Sequence, residues 1–98
     1  MFYTYALFCL DKNLKTKLYI GSTDNLKARV KDHQTKSVKS TKRFDKITLI
    51  YYEACLNKKD ARKRELQLKT GFGRGYIKRR LANHLAGLVK RPNATFPR

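Results

Sequence analysis

The chain has 98 residues, with 24 Lys and Arg against 7 Asp and Glu, a formal net charge of +17. That length holds one domain with a modest core, and 41% hydrophobic and 11% aromatic residues are too many for a disordered basic tail. No run approaches the ~20 apolar residues of a membrane span, and two cysteines make neither a disulfide framework nor a metal signature.

Phe2 to Leu10 is dense in Phe, Tyr and Leu and has the length of a strand buried on both faces. It lacks the basic leader and small-residue cleavage site of a signal peptide, so a cytoplasmic protein is expected. Asp11 to Lys17 reads as a hairpin loop and Leu18 to Gly21 as the returning strand. Ser22-Thr23-Asp24 supplies N-cap chemistry, with Thr23 or Asp24 as the cap, for a helix over Asn25–Lys36. Ser37 to Lys46 shows no periodicity and is expected to be an exposed basic loop. Ile47 to Glu53 is the clearest strand. Asn57 and Asp60 resemble a capping box for a helix over Lys58–Thr70, with Gly71 as its left-handed stop. Arg74 to Leu88 predicts a third helix, and 91–98, with Pro92 and Pro97, a loose tail after a single domain over 1–90. The order is β-β-α-β-α-α, a small α/β domain with a three-stranded sheet. Cys9 and Cys55 fall in β-like stretches and are expected to be reduced, packed thiols.

Net charge speaks to partners rather than to fold. A polyanion is the expected partner, nucleic acid ahead of an anionic membrane or a protein. The cations are unevenly placed: Lys36, Lys39, Lys42, Arg43 and Lys46 crowd the central loop, and no acid follows Glu65, whereas Lys69, Arg74, Lys78, Arg79 and Arg80 do. These are either solvated faces or phosphate contacts.

Helical spacing sharpens the picture. Leu26 and Val30 define the buried stripe of the first helix, and Arg29 and His33, also four apart, lie beside it at the boundary of core and water. Arg29 is open to two readings, a snorkelling side chain or a phosphate ligand. On the second helix, Glu65 shares the inward face with Ala61 and Leu68. A carboxylate there requires a cation, either Arg29 or a neighbouring Lys, or a metal. Tyr3 and Tyr5 share one face of the first strand, and Gly21 at a strand end would let backbone N–H groups approach an anion. Gly71-Phe72-Gly73-Arg74-Gly75 is a helix stop and turn or a phosphate-contacting loop.

Tyr19-Ile20-Gly21-Ser22-Thr23, followed by Asp24 to Val30 and His33, resembles the second half of the GIY-YIG nuclease domain. Tyr3-Thr4-Tyr5 is similar to the first half, with Tyr5 in place of the triplet's Tyr and with Tyr3 and Thr4 replacing its Gly and Ile. Asp60 to Glu65, then Leu68-Lys69, is similar to the helix bearing the family's metal-binding glutamate. The resemblance spans roughly Phe2 to Leu81. It implies a three-stranded antiparallel sheet flanked by helices and a metal-dependent endonuclease acting on DNA, as in repair or recombination. Tyr5 and Tyr19 would line the active site, with Tyr19 helping to deprotonate the attacking water. Arg29 would hold the scissile phosphate, His33 would assist, and Glu65 would bind one Mg²⁺ or Mn²⁺. Gly21 would keep the strand end clear for phosphate. Lys36, Lys39, Lys42, Arg43, Lys69, Arg74 and Lys78 are the expected substrate contacts, and a protein partner is a possible source of specificity. The family's Asn in the following helix has Asn83 as its nearest candidate, while Lys78 or Arg79 falls nearer the expected place.

A single inward carboxylate favours one metal over two, because two-metal sites usually gather several acids. The competing function is a basic nucleic-acid-binding module that keeps the fold without catalysis.

Overall fold

A computed structural model describes residues 1–89, with side chains to residue 87. The tail expected over 91–98 lies outside the described residues. The chain is α/β, built on a three-stranded antiparallel sheet in the order β2-β1-β3, with strands β1 Phe2–Leu10, β2 Thr16–Thr23 and β3 Lys46–Cys55. Helix α1 covers Leu26–Gln34, α2 Lys58–Leu68, α3 Gly71–Arg80 and α4 Ala82–Val89. None of the described helices is long and apolar enough to cross a membrane.

The first strand is central and covered on both faces, which is why Thr4 through Cys9 are all buried. One face carries Tyr5, Leu7 and Cys9 against Phe44 and Ile47, with Tyr19, Leu26, Val30 and Leu49 at the margin. The other carries Ala6 with Leu18, Ile20, Leu68 and Ile77. Between Ala6 and Leu7 the pairing with β3 slips by one residue at Ile50, so Tyr52 stands opposite Tyr5 and Leu49 opposite Leu7. This bulge turns Tyr52 and Leu49 to the α1 face and leaves Ile50 and Tyr51 with the opposite core. Cys9 is a buried free thiol as expected, whereas Cys55, also free, is only half-buried at the end of β3.

Several boundaries depart from the sequence reading. Ser22 and Thr23 remain in β2, paired with Thr4 and Tyr3, so the cap of α1 is Asn25, whose side chain accepts from the Ala28 N–H at 3.1 Å. The helix stops at Gln34, and Lys36 turns left-handed at φ 66°. The segment that follows is not wholly exposed. Thr41 and Phe44 are buried, and the Asp45 N–H bonds to the Leu10 carbonyl at 2.9 Å, pinning the loop to the end of β1. Anchoring by two isolated residues, one polar and one aromatic, leaves no periodic signal.

The glycine-rich segment is helix rather than stop or loop. Thr70 caps α3 by accepting from the Gly73 N–H at 3.0 Å, and no glycine has positive φ. A Cβ on Gly73 would fall on the backbone of Leu68, so the residue allows α2 and α3 to approach closely. The single helix expected over Arg74–Leu88 is broken at Leu81 (φ −110°, ψ 20°). The turn admits both Ile77 and Leu85 to the interior, each fully buried. The observed order is therefore β-β-α-β-α-α-α.

Two polar ties hold α2 to β1 and β3. Thr4 donates to the Ala61 carbonyl at 2.8 Å from β1. Glu53 on β3 takes Arg64 through Nε and Nη2 at 3.0–3.1 Å and a hydrogen bond from Tyr51 at 2.9 Å. The inward side of α2 is thus held against the sheet at two strands.

Candidate active site

The site forms where the end of β2 meets the start of α1 and the inward face of α2. Tyr5 and Gly21 are directly paired across β1 and β2. A Cβ on Gly21 would lie 2.5 Å from the Tyr5 hydroxyl oxygen, so the missing side chain leaves room for the phenol ring. That is a different role from the phosphate clearance expected of Gly21.

The Tyr5 hydroxyl lies 2.9 Å from His33 Nε2, and His33 Nδ1 lies 2.8 Å from Thr41 Oγ1. Tyr19 meets the edge of the His33 ring at 4.9 Å between centroids. His33 has no exposure, and burial, with Arg29 nearby, pulls its pKa down to about 4. The ring is neutral at pH 7, with one nitrogen donating and the other accepting. Burial raises the Tyr5 pKa, and the Arg29 guanidinium opposes that rise. Arg29 and His33 converge on one phenol because they stand four apart on α1.

Glu65 faces in from α2 and is 4% exposed. Its Oε1 accepts from Ser22 Oγ at 2.6 Å and pairs with Arg62 at 2.8 Å, while Oε2 pairs with Lys69 at 2.6 Å. Burial pushes the carboxyl upward, but the bonds from Lys69, Ser22 and Arg62 outweigh it and hold the pKa below the ordinary value. The ion pairs of Glu65 run to Arg62 on its own helix and to Lys69 at that helix's C-cap, not to Arg29. A cleft of about 590 Å³ is lined by Phe2, Ser22, Thr23, Arg29, Lys58 and Arg62, among others. Arg29 of α1, the α2 cations Lys58 and Arg62, and the Glu65 partner Ser22 thus share one cleft.

The family's divalent metal can be weighed against this donor set. The described residues gather no group of three or more His, Cys, Asp or Glu, so an all-protein cage is not available. One buried carboxylate does suit Mg²⁺ or Mn²⁺, which commonly take one or two carboxylates and complete their shell with water and substrate phosphate. The cations on Glu65 reach it from the solvent side, with the Arg62 and Lys69 side chains 60% and 41% exposed. The residues fit a single hard metal.

Other expected contacts lie elsewhere. Lys36 Nζ is tied to the Phe44 and Asp45 carbonyls. Lys39, Lys42 and Arg43 are exposed on the loop after α1, with Arg43 over the Phe44 ring at 4.6 Å. Arg74 and Lys78 are half-buried on α3, and Asn83 is exposed on α4. None of these seven is among the residues lining the cleft. Sequence reasoning missed Lys58, Arg62, Ser22 and Thr41. The first two were legible, because Arg62 stands three residues before Glu65 and four after Lys58. Thr41 left no signal.

UPF0213 protein SH2523 of Staphylococcus haemolyticus is 36% identical over 69 residues, covering 69% of this chain and 79% of that protein. UPF0213 protein CPE1444 of Clostridium perfringens is 37% identical over 70 residues, covering 70% and 71%. No solved structure matches. The GIY-YIG catalytic domain matches residues 1–77, a span that includes every strand and all of α1 and α2. The chain belongs to the GIY-YIG catalytic domain family, a family of nucleases acting on nucleic acid.

Proposed function

We propose that the protein is a metal-dependent endonuclease that hydrolyses DNA phosphodiester bonds with one metal and tyrosine assistance. The reading is carried by one juxtaposition: a single cleft is lined by Arg29, which neighbours the Tyr5–His33–Thr41 chain, and by Ser22, which donates to the buried Glu65 carboxylate.

Water attacks phosphorus, one P–O bond forms, the bond to the leaving oxygen breaks, and a proton ends on the leaving alcohol. Arg29 binds the scissile phosphate and offsets the charge that grows on its oxygens. Tyr19, half-buried where Tyr5 is fully buried, is the phenol that would accept a hydrogen bond from the incoming water, although it does not line the cleft. With His33 neutral, one ring nitrogen donates and the other accepts in its hydrogen bonds with Tyr5 and Thr41, which hold the imidazole against Tyr19. Lys58 and Arg62 hold neighbouring phosphates. Glu65 would hold Mg²⁺ or Mn²⁺, which would supply positive charge to offset the negative charge developing on the leaving oxygen. Lys69 and Arg62, drawn toward phosphate, release the carboxylate to serve as the metal's ligand.

The alternative, a basic binding module, draws on the full pairing of Glu65 by Ser22, Arg62 and Lys69. Cleavage separates the two. Purified protein with Mg²⁺ or Mn²⁺ is expected to nick or cut members of a panel of plain duplex, flap, branched and single-stranded DNA. Glu65→Ala and Glu65→Gln are expected to abolish cutting and leave DNA affinity within about threefold. Equal cleavage by wild type and both variants overturns the assignment.

A further inference from the structure

The Tyr5 face of the sheet does not end at the cleft. Tyr3, two residues before Tyr5, and Tyr52, paired opposite Tyr5, extend it toward the edge strand β3. Their rings meet edge to face at 6.1 Å and 65°. Tyr52 is nevertheless 54% exposed, a large aromatic surface braced on one side and open on the other. Beside the pair runs a groove of about 710 Å³ between α1 and β3, a size suited to a small planar group. Leu26, Val30 and Leu49 give it an apolar floor, and Lys27 and Lys31 stand on its rim.

Two observations identify the occupant. The rim cations call for an anion beside an apolar, π-faced body, the chemistry of a nucleotide. The groove also adjoins the cleft: Asp24 lines both, and Tyr3 is paired with Thr23 of the cleft. A DNA strand whose phosphate meets Arg29 therefore passes this groove within a nucleotide or two. In a duplex, both faces of a base are already covered by neighbours, so only an unpaired base offers a face to Tyr52.

We infer that Tyr52, braced by Tyr3, is a stacking platform for an unpaired base next to the scissile phosphate, and that the preferred substrate is DNA with unpaired nucleotides at the cut. The inference rests on the endonuclease reading for DNA as ligand. Its test reads binding alone, in a Glu65→Gln background that does not cut. The probes are one oligonucleotide carrying 2-aminopurine, as a single strand, in full duplex, and as an unpaired bulge in a duplex.

Stacking quenches 2-aminopurine. Single-strand and bulge emission is expected to fall on binding, and these probes are expected to bind more tightly than full duplex. Tyr52→Ala is expected to abolish the quench and weaken single-strand binding about tenfold, with duplex affinity unchanged. Tyr52→Phe, which keeps the ring, retains both effects. A cooperative thermal transition in each variant verifies the fold, as expected for a half-exposed edge-strand residue. Quenching that survives Tyr52→Ala, or equal loss in Tyr52→Phe and Tyr52→Ala, overturns the platform. So does a concentration-dependent dimer that Tyr52→Ala dissolves, since the groove then belongs to a second copy. Equal binding of all three probes without quench removes the platform and leaves the nuclease reading standing, whereas no DNA binding at all removes both.

Discussion

His33 ties the site to the stability of the fold. Its imidazole is fully buried between Tyr5 and Thr41 and held neutral, with a folded pKa of about 4 against 6.5 for the free group. Between those values the unfolded chain binds a proton that the folded chain does not, so stability rises with pH across that window. The contribution is complete above pH 6.5 and lost as pH falls to 4, on the order of 3 kcal/mol over the window. Glu65 follows the same sign in a lower window: its folded pKa is depressed, so its stabilisation is present above the ordinary carboxylate value and lost below it. Urea unfolding at steps from pH 7 to 4 is expected to show a decline between 6.5 and 4 that His33→Gln lacks. Parallel curves for wild type and His33→Gln would show that the imidazole is not held neutral. At this scale the sequence revealed one half of the arrangement. Arg29 and His33 stand a helical turn apart beside the Leu26 and Val30 stripe, which placed them at the edge of the core. Thr41 approaches from a loop whose fold depends on two anchors, and no local pattern encodes that approach.

Glycines decide how the elements meet. Gly73 stands where α3 crosses the end of α2, and an added Cβ would meet the Leu68 Cα at 2.5 Å. Backbone cannot step aside as a flexible side chain can, so Gly73→Ala is expected to destabilise by about 1–3 kcal/mol through separation of the two helices. Gly75, two residues on in the same helix, is the control. Its added Cβ would meet only the end of the Arg79 side chain at 3.1 Å, and Gly75→Ala is expected to be neutral or to stabilise by up to about 1 kcal/mol through helix propensity. Equal effects in denaturant titrations would show that propensity, rather than close approach, governs α3. This segment is also where sequence reading failed. Three glycines in five residues argue locally for a turn, yet the Thr70 cap and close packing on α2 outweigh their backbone entropy. The three strands and first two helices were legible because apolar period and cap residues agreed there. Strand ends were not, since Thr16, Lys17, Ser22 and Thr23 are held by pairing with β1 and not by their own propensity.

Across the whole molecule, the charge of +17 separates into two populations. Arg29, Lys58 and Arg62 line the cleft, where the proposed reaction would bring the phosphates. Lys39, Lys42 and Arg43 ride on the loop after α1, outside the cleft lining but not adrift. Thr41 and Phe44 are buried beneath it, and Lys36 closes its base on the Phe44 and Asp45 carbonyls. The proposed contribution of this basic loop to DNA binding is additive electrostatics without direct involvement in the chemistry. Each phosphate neutralised contributes about 0.7 (single strand) to 0.9 (duplex) to the slope of log affinity against log salt. Replacing all three by Gln is therefore expected to lower the slope by about 2–3 and weaken binding most at low salt. Single-turnover cleavage with DNA saturating should stay at the wild-type rate, because Arg29, Tyr19 and Glu65 are untouched. Arg29→Gln is expected to show the converse, a slope lower by about 1 at most and a loss of cleavage that saturation does not restore. An unchanged slope in the triple variant would mean that the loop cations meet no phosphate. A lower saturated rate in that variant would mean that the loop takes part in positioning the strand at the cleft.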